Sequence, residues 1–384
     1  MHIRARALTV CALLVALFLV SVGVSAQDKK DQKTQPNQPK LSKEQIQERD
    51  ALIGLVTSVT GGAAAPADIP VTFQNHFMRS REGKSFMPYT LAVEPGALTA
   101  PQVLLYVRAV KKGGEAPAAA APVDPKDKDK KNAPPRVEYA WEDYYVIETA
   151  TLAAPPAAAA GQPAAPTAAP GGAKPPLRIS RYIGVAPGEY DVYFALRERA
   201  AGEKKDKNAP PGKTTILKQT VTAPDFNAGL IASSIIVVEK VEDLPTALNE
   251  QQLRENPYTF GNMKLTPALT NRFDKKGEIS WIFVIYNAQL DATTKKPEVS
   301  VEYNFHQKLK DGEKYFNKTS PQNFSATTLP PGWDGLVTNQ ISAGQSVPLG
   351  SFPEGDYRLE VKVVDKLGNK TITENIPFTV VSGS

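Results

Sequence analysis

SFPEGDYRLEVKVVDK, Ser351 to Lys366, is the stretch whose reading decides the fold. A Pro/Gly/acid turn delivers Tyr357, after which Tyr357, Leu359, Val361 and Val363 alternate with Arg358, Glu360 and Lys362. An apolar period of two predicts a half-buried antiparallel strand. The stretch GVAPGEYDVYFALRER, Gly184 to Arg199, repeats the pattern offset for offset, with Tyr190, Val192, Phe194 and Leu196 facing inward.

A Gly-acid-Tyr step entering a late strand resembles the start of strand F in immunoglobulin-like sandwiches, where the tyrosine hydroxyl ties down the preceding corner. Two such steps predict an all-β chain of two tandem immunoglobulin-like β-sandwiches. Spacing agrees with a repeat. Gly83, ahead of an apolar strand at Phe86–Val93, lies 107 residues before Tyr190, and Gly277, ahead of Ile279–Asn287, lies 80 before Tyr357. Alanine- and proline-rich inserts account for the excess, and 384 residues suffice for two cores of roughly 100 to 130 residues each.

Working outward, residues 1–26 carry Arg4 and Arg6, an apolar run and Val24-Ser25-Ala26, the pattern of a secretory signal peptide cleaved after Ala26. An uncleaved anchor is the alternative, because the apolar run approaches bilayer-spanning length. Residues 27–42 are a polar tether, expected to be disordered. Ser42 with Gln45, and Leu41 placed against Ile46, form a capping box and staple that start a helix over 43–60, stopped by Gly61-Gly62. Its Ile46, Leu52, Ile53, Leu55, Val56 and Val59 are expected to dock on the first sandwich.

The first sandwich is placed at 66–241. Strands are predicted at 69–77, 86–93, 102–111, 136–149, 177–184, 189–197, 214–221 and 231–241. Low-complexity inserts at 113–135, 153–176 and 203–212 are read as projecting loops. A linker over 242–259, with a short helix near 246–255, leads to the second sandwich at 260–384. Its predicted strands are 279–287, 298–307, 313–316, 345–349, 357–364 and 371–380. Ile279 to Tyr286 is apolar on both faces, which predicts a strand packed on two sides with Trp281 as a core anchor.

Composition excludes several chemistries. Cys11, the single cysteine, lies in the leader, so disulfides, thiolate metal sites and cysteine catalysis are ruled out for the exported chain. Loss of Arg4 and Arg6 from the 45 basic residues leaves 43 against 40 acidic, spread rather than clustered, so nucleic acid is not an expected partner. His76 and His306 have no second histidine at ligand spacing. Gly83-Lys84-Ser85 and Gly212-Lys213-Thr214 lack the upstream glycine of a phosphate loop. Lysines interleave Asp124, Asp127 and Asp129, which cancels a calcium field. No catalytic, cofactor-binding or metal-binding residue is marked, and no cofactor is implied.

The segments PDF, GLIASSI, NPYTFGNMKLTPALTNRFDKKGE and WIFVIYN within Pro224–Asn287, followed by LGSFPEGDYRLEVKVVDKLGNKT, resemble the carboxy-terminal region of uncharacterised exported bacterial proteins of the Acidobacteria type. In that family β-sandwich segments follow a von Willebrand factor A-related or GWxTD domain. This chain has no Asp-x-Ser-x-Ser motif, and Gly332-Trp333-Asp334-Gly335 is not GWxTD.

The expected function is a non-catalytic exported structural or protein-interaction module of the bacterial envelope, whether periplasmic, cell-surface or secreted. Its partner is an envelope or extracellular protein, met through strand edges and the inserts. Membrane contact comes only through the leader if it stays uncleaved. The alternative is a carbohydrate-binding module built on Tyr144, Tyr193, Tyr315 and Trp333, with polysaccharide as partner. An unmarked hydrolase is a third reading.

Overall fold

The computed structural model describes residues 42–80, 82–113, 139–153, 175–199 and 212–382. The leader, the tether, most of the three inserts and Asp124, Asp127 and Asp129 lie outside them. The described chain is mainly β, arranged as two pairs of sheets with three helices.

In the N-terminal pair, β3 (Ser85–Val93) lies between β6 (Leu177–Val185) and an edge made of β1 (Val71–Asn75) and β2 (Met78–Arg79). The second sheet runs β5 (Trp141–Glu148), β4 (Gln102–Lys111), β7 (Gly188–Arg199), β8 (Thr214–Ala223), all antiparallel. Inward residues of both sheets, among them Tyr89, Leu91, Leu105, Val107, Val192 and Phe194, form one core.

The C-terminal pair repeats this order. β14 (Glu278–Tyr286) lies between β18 (Gln340–Pro348) and an edge made of β9 (Ile231–Ala232) and β10 (Ile236–Asp243). Facing it, β16 (Gly312–Lys318), β15 (Val299–Leu309), β19 (Gly355–Asp365) and β20 (Lys370–Val381) match β5, β4, β7 and β8 in turn. Four short strands that alternation does not reveal complete it. β11 (Thr259–Phe260) and β12 (Met263–Pro267) extend the first sheet beyond β10, β13 (Arg272–Asp274) pairs parallel with β20, and β17 (Gln322–Phe324) pairs with β15.

Both corner tyrosines do what the Gly-acid-Tyr step predicts. Tyr190 Oη donates to the Ala186 carbonyl at 2.9 Å, and Tyr357 Oη to the Pro353 carbonyl at 2.7 Å. Gly188 and Gly355, two residues ahead of each, sit at φ +145° and +138°, a region that L side chains rarely adopt.

The structure moves one predicted boundary. Residues 231–241 were expected in the first sandwich and 242–259 in a linker, yet β9 and β10 pair with β14, and 242–259 holds the end of β10, α3 (Glu250–Glu255) and the start of β11. Ile236 and Val238 find their apolar partners, Leu265 and Ile282, in the C-terminal sheet, which no local pattern could reveal.

The two halves stack through their β3 and β14 sheets. β14 is two-sided as predicted: Ile279, Trp281, Phe283 and Ile285 enter the C-terminal core, while Ile282, Val284 and Tyr286 pack toward Met78, Phe86 and Phe77. Both edge strands break at this contact. His76 falls opposite Pro88, whose carbonyl accepts from His76 N–H at 3.0 Å but which has no N–H to return, and the ladder splits there. The second break is between β9 and β10. There Phe77 N–H donates to Ser234 Oγ and Ser234 N–H to the Phe77 carbonyl, both at 2.8 Å, so the two breaks are bonded to each other.

α1 (Lys43–Thr60) begins with the predicted capping box, Ser42 Oγ accepting from Gln45 N–H and the Gln45 side chain from Ser42 N–H. It docks on the sheet, with Leu52 and Val56 buried against Leu104, Tyr106, Tyr144, Tyr193, Ala195 and Ile216 on the outer face of the β4 sheet and Ile53, Leu55 and Val59 packed beside them, whereas Ile46, expected to dock with them, is exposed at the start of the helix. Buried Arg108 donates to Thr57 Oγ1 at 3.0 Å, and Arg199 pairs with Glu48 at 2.7 Å, which fixes the helix in register. α2 (Thr149–Ala153) is one turn after β5.

Candidate functional site

The residues singled out in the sequence scatter. His76 is buried between the halves, its Nδ1 2.9 Å from Tyr258 Oη. Tyr258 Oη also lies within hydrogen-bond distance of the Pro88 carbonyl, at 3.2 Å. Burial lowers the His76 pKa to about 4. His306 lies on β15, edge-on to Tyr315 at 5.9 Å. Among the described residues no group of three or more His, Cys, Asp or Glu could hold a metal ion. Gly83-Lys84-Ser85 is a tight turn into β3, with Gly83 at φ +75° and Ser85 Oγ bonded to the Pro224 carbonyl.

The four candidate aromatics do not share a face. Tyr144 and Tyr193 are buried under α1. Tyr315 stands exposed on β16. Trp333 packs against the C-terminal core, its Nε1 donating to the Gln340 carbonyl at 3.0 Å. Alternation registered that these rings were off the sandwich cores but not that a helix covers two of them.

Three strand edges are blunted. On β18, the Gln322 side chain occupies the place of a neighbouring strand, its Nε2 donating to the Gly344 carbonyl at 2.9 Å and its Oε1 accepting from Gly344 N–H at 3.3 Å. A Cβ at Gly344 would lie 2.3 Å from the Trp281 carbonyl oxygen, so only glycine fits. β15 and β16 carry Lys308, Lys314 and Lys318, with Lys310 in the turn between them, around a bulge at Phe305/His306, both devices that discourage pairing. β8 is part-covered by residues 66–68, with Asp68 N–H donating to the Thr214 carbonyl and Ile216 N–H to that of Pro66.

What remains is one end of the C-terminal sandwich. The registers Tyr286↔Gln340, Val299↔Asp365, Val299↔Phe324 and Asp365↔Lys370 bring the loops 287–298, 325–339 and 366–369 together there. All the non-glycine residues with positive φ among the described ones, Asn287, Lys295, Asn339 and Asn369, lie at this end, three being asparagines suited to left-handed backbone. Buried Asp365 organises the base, its carboxylate accepting from Gln289 N–H at 2.8 Å and Gly368 N–H at 3.0 Å. In the 287–298 loop, Asp291 Oδ1 accepts from Thr293 and Thr294 N–H, and those bonds hold its carboxyl below the usual carboxylate range.

The 325–339 loop carries the tip. Asp334 caps it: its Oδ1 accepts from Leu336 N–H at 2.8 Å and its carbonyl from Thr338 N–H at 3.1 Å. Lys296 donates to the Trp333 carbonyl and lies 5.2 Å from the indole centroid. Gly335 is wedged so that a Cβ would meet Leu290 Cδ1 at 2.7 Å and Trp333 Cη2 at 2.9 Å. The N-terminal half braces the far side. Arg79 stacks on Tyr286 at 4.6 Å and donates to the Thr338 carbonyl at 2.7 Å and to Asn287 Oδ1 at 2.9 Å. On this fixed turn Leu336 and Val337 are 70% and 77% exposed, the highest values among the exposed large hydrophobic side chains of the described residues.

Beside the tip lies an open groove of about 310 Å³, lined by Lys296, Pro297, Ser325, Ala326, Thr327 and Leu367 among others. Asp291, Thr294 and Glu298 also line it, and Glu298 pairs with Lys366, whose Nζ lies 3.1 Å from Glu298 Oε1.

No family model matches the chain, and no curated protein matches it. Among solved structures it is similar to trypsin-activated alpha-2-macroglobulin from Escherichia coli, at 11% identity and a TM-score of 0.20. A Salmonella alpha-2-macroglobulin mutant is similar at 11% identity and a TM-score of 0.19. Each match covers 83% of this chain, which spans 17% of the length of either macroglobulin. At these scores neither likeness bears on the fold or the function.

Proposed function

We propose that this protein is a non-catalytic exported module of the bacterial envelope, two tandem immunoglobulin-like sandwiches that bind another protein through the loop end of the second. One observation carries the reading: Leu336 and Val337 stand in water on a turn braced from both halves. Apolar side chains held rigidly outward lose little conformational entropy on contact, which is the character of a binding hot spot. Export rests on the leader pattern at residues 1–26. Among the described residues no helix is long and apolar enough to cross a membrane.

The test is affinity capture from envelope extract with the chain from Gln27 onward, run beside sedimentation with insoluble polysaccharide. A defined protein recovered by the wild type and lost with Leu336→Asp/Val337→Asp supports the reading. Sedimentation with polysaccharide, lost with Trp333→Ala, overturns it in favour of sugar binding.

A further inference from the structure

The roots of the loop end are held from outside the C-terminal sandwich. Arg79, on β2, donates to Asn287 Oδ1, where the 287–298 loop leaves β14, and to the Thr338 carbonyl, where the 325–339 loop returns to β18. Its N–H donates to Tyr286 Oη at 3.3 Å, and its guanidinium stacks on that ring. Asn287 Nδ2 donates in turn to the Phe226 and Gly229 carbonyls, at 2.7 and 2.8 Å, in the connection between the halves. The two roots are also tied to each other, Asn287 N–H to the Asn339 carbonyl at 3.3 Å and Asn339 Nδ2 to the Ala288 carbonyl at 3.2 Å. We infer that docking of the halves governs the tip: Arg79 and Asn287 keep Leu336 and Val337 presented only while the N-terminal sandwich stays seated on β14, so parting the halves withdraws the binding surface.

The coupling has a continuous physical route. Arg79 follows Met78 directly on β2, and Met78 packs with Phe86 against Ile236, Val238 and Ile282, so the strand that makes the docking contact also carries the hold on the loops. Asn287 and Asn339 keep φ at +59° and +34°, left-handed backbone that persists where surrounding bonds impose it. Arg79 and the connection supply those bonds to Asn287. The hold on Thr338 lies within the tip turn itself, because Thr338 N–H closes onto the Asp334 carbonyl. A shift at Thr338 is therefore felt at Leu336 and Val337. Linkage makes the effect reciprocal, so a partner bound at the tip tightens the contact between the halves by the factor that docking gains for its binding.

As regulation of binding, the coupling rests on the loop end being the working surface, yet it is read without a partner. Hydrogen exchange of the chain from Gln27 onward, labelled from milliseconds to hours, follows Leu336 and Thr338 N–H at the tip and Phe77 and Ser234 N–H at the docking contact. Arg79→Ala should speed exchange at the tip by roughly fivefold or more and leave β15 and β19 as in the wild type. Phe86→Asp, which puts a charge into the docking contact, should speed Phe77, Ser234 and the tip together. A tip that keeps wild-type exchange in Arg79→Ala, or in a Phe86→Asp variant whose docking contact has loosened, overturns the inference. Equal acceleration across β15 and β19 also overturns it, being the mark of general destabilisation. Should Phe86→Asp fail to fold, Arg79→Ala decides alone. Affinity capture keeps the two failures distinct. No protein recovered while the exchange results hold removes the binding reading and leaves the coupling, whereas capture through the tip with unchanged exchange in Arg79→Ala removes the coupling alone.

Discussion

Acidification should weaken the contact between the two halves through His76, the buried imidazole opposite Pro88. Burial lowers its pKa from 6.5 to about 4 in the folded chain. Above pH 6.5 it is neutral whether folded or not, and the stability it supports is fully present. Between pH 6.5 and about 4 the unfolded chain takes up a proton that the folded chain refuses, so stability falls with pH. At roughly 1.4 kcal/mol per unit, the loss reaches about 3 kcal/mol near pH 4. Its neighbours are the neutral Tyr258 hydroxyl and the Pro88 carbonyl, and no carboxylate accepts from it to offset the cost. The assay is urea unfolding of the wild type and His76→Phe at pH 7, 6, 5 and 4. The variant lacks the bond to Tyr258 and should be less stable at pH 7 by about 1 to 2 kcal/mol. Its deficit should shrink and reverse as pH falls, because carboxylates titrate alike in both and cancel in the difference. A difference that stays constant from pH 7 to 4 would refute the burial and protonation of His76 as described.

Other substitutions test the remaining supports. Tyr357→Phe and Tyr190→Phe each remove one corner hydrogen bond and should cost about 1 kcal/mol by denaturant unfolding, with no change in fold. Leu52→Ala empties the contact under α1 and should cost about 2 to 5 kcal/mol, seen as protease cleavage within 43–60 ahead of the sheets. Gly344→Ala drives a methyl into the Trp281 carbonyl and should cost more than either tyrosine change, about 3 kcal/mol or loss of soluble protein. Val337→Asp should leave unfolding within about 0.5 kcal/mol of wild type, since the side chain touches water rather than the core.

The repeat was legible because its signals are local. The Gly-acid-Tyr steps, the alternation at Tyr357–Val363 and the Ser42/Gln45 box each depend on neighbours a few residues away, and the structure places all three as read. The contact between the halves was half legible. Ile282, Val284 and Tyr286 announced a second buried face on β14, but their partners Met78 and Phe86 lie some two hundred residues upstream. A shorter separation hid the placement of Ile236 and Val238, whose partners Leu265 and Ile282 lie 27 to 46 residues downstream and which sequence order attached to the wrong half. Tyr144 and Tyr193 look like surface rings because the helix covering them is separated from them in sequence. The loop tip had a faint signal, Leu336-Val337 after Trp333-Asp334-Gly335, two aliphatic side chains in a polar loop with no alternation to bury them.

The most direct test of the loop end as the working surface is photo-cross-linking in cells, with a photoreactive residue at position 336 and, as a control, at position 314 on β16. A discrete cross-linked protein species from 336 and none from 314 is the predicted result. Cross-links from 314 alone, or from neither, would contradict it and return the search to the strand edges.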